Sequence, residues 1–116
     1  MLIRLALLAT LAAAPALAQS TLGGDAIRTA IGGNTVQGTM SDGAGYTEFY
    51  GADGAIRGAG YAGAWSIEGD TLCFAYDGVE GQNCFGMALS GDQVTWLSGG
   101  SVAGTGTLVA GNPNGF

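Results

Sequence analysis

Hydrophobic and polar positions alternate along much of this chain, and glycine–acid pairs interrupt the alternation about every ten residues. Trp65 and Ile67 share one phase while Ser66 and Glu68 take the other. Leu72, Phe74 and Tyr76 alternate with Thr71, Cys73 and Ala75; Phe85, Met87 and Leu89 alternate with Cys84, Gly86 and Ala88. A period of two is that of a strand with one buried face. The interruptions are Asp42-Gly43, Asp53-Gly54, Gly69-Asp70, Asp77-Gly78 and Gly91-Asp92. Gly and Asp tolerate the positive φ that tight hairpin turns require. Short strands joined by such turns form an antiparallel meander.

The pattern predicts eight strands: Thr35–Met40, Tyr46–Tyr50, Ala55–Gly58, Gly63–Glu68, Thr71–Tyr76, Asn83–Leu89, Gln93–Leu97 and Val102–Val109. The last is flat and rich in small residues, and glycine inside a strand marks a bulge or a close backbone approach. One short helix precedes them. Ile27, Ala30 and Ile31 fall on one face of Asp25–Ile31, Asp25 is placed to cap it, and Gly32-Gly33 to end it. Two turns of helix have no stability of their own, so this one must dock across an open end of the sheet. The fold class is therefore all-β: a small up-and-down meander with one N-terminal helix, either barrel-like or a sandwich. Closure removes exposed edges, which favours the barrel. Its interior is expected to be filled by Trp65, Ile67, Leu72, Phe74, Phe85, Met87 and Leu89.

The first 18 residues read as a secretory signal peptide. Arg4 supplies the positive region, Leu5–Ala14 the apolar stretch, and Pro15-Ala16-Leu17-Ala18 the small-residue cleavage site. The apolar run is shorter than the ~20 residues of a spanning helix, so no membrane span is expected after cleavage. Residues 19–110 then form a single β domain, and 111–116, turn chemistry without periodicity, a flexible tail. Export places the chain in the periplasm or outside the cell. There, an even cysteine count implies a disulfide, Cys73 to Cys84. A hairpin centred between Gly78 and Val79 sets the two opposite each other, on the face away from the bulky side chains. Without histidine they are a poor ligand set for zinc, so no metal is expected.

Past residue 18 the chain keeps only Arg28 and Arg57 against nine carboxylates, a formal charge of −7. That sign repels phosphate backbones and anionic lipid heads, which excludes nucleic acid as a partner. The absence of His and Lys removes imidazole bases, Ser–Lys pairs and Schiff-base chemistry. Most carboxylates belong to turns. Glu48 and Glu68 stand in strands and are the only candidates for paired-carboxylate hydrolysis, though strand glutamates on a solvent face are ordinarily just solvated. Gly58-Ala59-Gly60-Tyr61-Ala62-Gly63 matches a dinucleotide fingerprint, but a strand follows where that motif needs a helix. No segment has the spacing of a calcium loop. No catalytic residue and no cofactor are expected. Tyr46, Phe49, Tyr50, Tyr61, Trp65, Tyr76 and Trp96 serve either as core or, if clustered on the surface, as a partner site.

The order Ile27, Gly33-Asn34-Thr35, Tyr50, Asp53-Gly54, Gly58, Gly63-Ala64-Trp65, Gly69-Asp70, Leu72-Cys73-Phe74 and Cys84 resembles a group of small exported proteobacterial proteins described only as a domain of unknown function. The resemblance covers about two-thirds of the chain after the signal peptide and implies a periplasmic β domain without established activity. A weaker likeness, through the Gly-x-Trp strand and single disulfide, is to small exported barrel inhibitors of bacterial proteases. The reading is thus a non-enzymatic binding or structural module for an unknown protein or small-molecule partner, with protease inhibition as the alternative.

Overall fold

The computed structural model describes residues 21–116; the expected signal peptide lies outside the described residues. Helix α1 (Gly24–Ile31) is followed by β1 (Asn34–Met40), β2 (Gly45–Tyr50), β3 (Ala55–Gly58), β4 (Tyr61–Glu68), β5 (Thr71–Tyr76), β6 (Asn83–Ser90), β7 (Gln93–Ser98) and β8 (Ser101–Val109). Each strand pairs antiparallel with the next, and β8 returns to pair with β1, closing a barrel. Of the two architectures left open by the sequence, the barrel is the one formed.

Closure depends on the small residues of β8. Its pairing with β1 runs from Thr35↔Val109 to Met40↔Gly104. Gly104 and Gly106 face inward, where a Cβ on Gly104 would lie 2.7 Å from Met40 Sδ and one on Gly106 2.6 Å from the Tyr46 hydroxyl. The glycines therefore make room for bulky side chains arriving from β1 and β2. The register slips between Trp96 and Leu97, where β8 holds one extra residue, a bulge.

Helix α1 shuts one end. Ile27 and Ile31 are fully buried beneath it. Its start is held by the β4–β5 turn, with Gly24 N–H donating to Asp70 Oδ1 at 3.1 Å. Its exit is held by β2, with Gly33 N–H donating to the Tyr50 carbonyl at 2.7 Å. The N-cap residue is Gly23 and carries no side-chain cap. The expected cap by Asp25 is not made: Asp25 sits two residues past the N-cap, inside the first turn, and Asp70 does that work from another element. Ahead of the helix, Thr21 bridges Ala88 on β6 and Leu22 N–H donates to the Met87 carbonyl. This covers Ala88, an outward residue that is nevertheless fully buried.

Residues 111–116, read from sequence as a flexible tail, are joined to β1 at Gly111 and then closed on themselves. Thr35 Oγ1 donates to the Gly111 carbonyl at 2.7 Å, Gly111 N–H donates to Asn34 Oδ1, and the Asn112 side chain brackets the Phe116 backbone.

Cys73 and Cys84 face each other across β5 and β6 and are bonded. They lie on the outer face, opposite Leu72 and Phe74, as the alternation requires. Closing so short a loop restricts the unfolded chain, and Cys73→Ala is expected to cost about 2–5 kcal/mol. Urea unfolding of oxidised and reduced protein checks this; identical midpoints from fully oxidised starting material contradict it.

Candidate functional site

With α1 across one end, the other end of the barrel is framed by the turns at 41–44, 59–60, 77–82 and 99–100. Trp65, Leu72 and Met87 pack the interior nearer the helix. The expectation of a fully filled interior fails beyond them. A cavity of about 190 Å³ remains, lined by Met40, Tyr46, Glu48, Tyr50, Phe74, Tyr76, Asn83, Phe85 and Trp96. An apolar cavity of about 150 Å³ accepts benzene, so this space suits a molecule of roughly one ring.

Glu48 is the main correction to the sequence reading. It does not lie on a solvent face: it is 5% exposed and points into the barrel. Parity forces this, since Tyr46, Glu48 and Tyr50 share the inward face of β2. Three phenols converge on its carboxyl group. Tyr50 donates to Oε2 at 2.7 Å; Tyr76 and Tyr61 donate to Oε1 at 2.8 and 2.9 Å. An ionised carboxylate is acceptor-only and can take all three. Tyr61 reaches it because β2 and β3 pair over only two residues, Phe49↔Arg57 and Tyr50↔Ile56, so the wall is open beside Glu48. The Tyr61 ring lies over Gly58, where any Cβ would strike it. The fingerprint-like glycine run is thus a hairpin whose first glycine seats a tyrosine.

A second pair of bonds fixes the neighbouring wall. Trp96 Nε1–H donates to the Tyr46 hydroxyl at 2.8 Å, which donates to the Thr105 carbonyl at 3.0 Å. Phe74 sits at the centre of the aromatic lining, edge-on to Trp96 at 5.6 Å and tilted against Tyr50 and Phe85. The other indole is elsewhere. Trp65 Nε1–H donates to the Gly51 carbonyl at 2.8 Å near the helix, with the Arg28 guanidinium 5.6 Å above its ring.

Glu68 is exposed on the outer face, as expected. Gln82 Nε2 donates to its Oε1 at 3.1 Å, and its Oε2 lies 3.6 Å from Cys73 Sγ. Disulfide sulfurs carry no proton, so this last approach is a contact and not a hydrogen bond. Glu68, Cys73 and Cys84 are close enough together to suggest a metal site, but bonded cysteines offer no thiolates. Glu48 and Glu68 lie on opposite faces of the sheet, so the carboxylate pair needed for hydrolysis is not assembled. The aromatic residues do not form an outer patch either. The large apolar side chains that are exposed, Tyr61, Val79 and Val102, stand on or beside the strand ends and turns of the open rim.

Comparison with protein-family models, curated proteins and solved structures gives no match for this chain.

All four tyrosines are held above the ordinary phenol value near 10. For Tyr50, Tyr61 and Tyr76 burial is the largest cause, followed by the charge of Glu48 and the bond to it. For Tyr46 burial again leads, opposed by the bond from Trp96. Raised native values mean that the unfolded chain releases its phenol protons first. The stabilisation is therefore complete below about pH 10 and is lost as pH climbs above it. In an alkaline titration, phenolate absorbance should rise together with loss of native circular dichroism, above pH 10. Phenolate forming near pH 10 with native structure intact contradicts the assignment.

Proposed function

We propose that this chain is an exported, non-enzymatic binding module that takes a small molecule into the open end of its barrel. The observation that carries this reading is the cavity itself. Apolar walls with a few convergent polar groups are the usual form of a small-molecule site. The helix closes the far end, so a ligand has one way in. The exposed apolar side chains at the rim are placed where an entering ligand would first touch the protein.

A binding role is favoured over catalysis by the arrangement of the titratable groups. Glu48 has phenols around it and no second carboxylate facing the same space, and the phenols are poor proton donors near neutrality. Export is supported by the leader pattern, by the resemblance to exported proteins, and by a disulfide, which persists in oxidising compartments. The protease-inhibitor alternative has less support. The most exposed disulfide-flanked segment, 77–82, is closed on itself by Val79 N–H donating to the Tyr76 carbonyl, and does not present an extended strand to a protease cleft.

The two indoles provide the test. Trp96 lines the cavity while Trp65 sits near the helix. Titrating oxidised, ¹⁵N-labelled protein with single-ring probes such as benzyl alcohol is expected to shift the Trp96 indole N–H resonance saturably, at about millimolar concentration or below. The Trp65 resonance should hold still. Parallel movement of both indoles, or of neither across a panel of probes, contradicts the proposal.

A further inference from the structure

The cavity of this binding site has a chemical bias, and resting on the binding reading above, we infer that its ligand class is a small organic ammonium ion with Glu48 as the counter-ion. The argument begins with an imbalance. A buried carboxylate is costly unless it is paired with a cation or fully hydrogen-bonded. Glu48 is buried, yet neither cation of the described residues approaches it. Arg28 is over Trp65 near the closed end, and Arg57 is exposed on the outer face of β3. Phenols satisfy the carboxylate in part. Two carboxylate oxygens offer about four acceptor positions, and the tyrosines occupy three. Glu48 lines the cavity, and its Oε2 takes one phenol bond where Oε1 takes two, which leaves an acceptor position for a ligand's N–H.

The walls suit the same ligand. Tyr46, Tyr50, Phe74, Tyr76, Phe85 and Trp96 all border the cavity. The negative faces of such rings attract an ammonium group, most strongly where water is excluded. An anion meets the opposite conditions. It would be repelled by Glu48 and would find no cationic side chain in the lining. A metal ion also fits poorly, because it needs several oxygen ligands and the lining supplies one carboxylate, the Asn83 amide and phenols already engaged in hydrogen bonds. The wider field agrees in sign: Asp42, Asp77 and Glu80 belong to the turns around the open rim, and the chain past residue 18 carries a formal charge of −7.

Three probes of one shape separate charge from fit: benzylammonium, benzyl alcohol and benzoate, titrated at constant salt near pH 7 and read at the Trp96 indole. Benzylammonium is expected to bind at least about tenfold more tightly than benzyl alcohol, with benzoate weakest. In Glu48→Gln, which keeps the size of the side chain, the ratio between benzylammonium and benzyl alcohol should shrink to within about twofold. If Glu48→Gln does not fold, the wild-type ratio decides alone. Benzyl alcohol binding as tightly as benzylammonium overturns the inference and leaves the binding module standing. Silence from all three probes removes both.

Discussion

The interior of this protein depends on the closure of β8 onto β1. Once that edge is sealed, every strand has an inside, and the period of two assigns each side chain to it or to solvent. Closure on these terms is available only because Gly104 and Gly106 present nothing to the interior beyond backbone. Bulkier residues there would displace Met40, Val36 and the Tyr46 hydroxyl.

Parity then dictates the chemistry. With Tyr46 and Tyr50 committed to the inside, Glu48 goes with them, whatever its desolvation costs. The chain has no lysine or histidine to send after it, and the arginines among the described residues, Arg28 and Arg57, lie elsewhere. Phenols are the donors left, and three of the four tyrosines are spent on this one carboxyl group. They come from β2, β4 and β5, so the network also ties together the part of the wall where β2 and β3 separate. Burial and the carboxylate together hold those phenols in their protonated, donating form.

Much of the fold was legible in the sequence because its punctuation is local. The Asp-Gly and Gly-Asp turns fall where the strands end, every expected strand is present to within about two residues at either boundary, and the alternation in β5 and β6 put the disulfide on the outer face. Glu48 was harder. Its strand reads Tyr46-Thr47-Glu48-Phe49-Tyr50, with apolar or aromatic residues in both phases, so neither face of β2 announces itself. The usable signal was that both same-phase neighbours of Glu48 are tyrosines, in a chain with almost no cations. Tyr61 was out of reach for another reason: its contact depends on how far β2 and β3 splay, which is a property of the closed wall. The cap from Asp70 to Gly24 spans 46 positions and is likewise tertiary.

The central claim is that Glu48 lies inside the barrel with three phenol hydroxyls bonded to it. Hydroxyl protons of exposed tyrosines exchange with water too fast to be seen, whereas those held on a buried carboxylate persist and resonate downfield. Proton NMR of the oxidised protein should therefore show hydroxyl resonances for Tyr50, Tyr61 and Tyr76, each with a nuclear Overhauser contact to the Glu48 methylenes. Hydroxyls averaged with water, together with Glu48 methylenes in contact with solvent alone, would contradict the account.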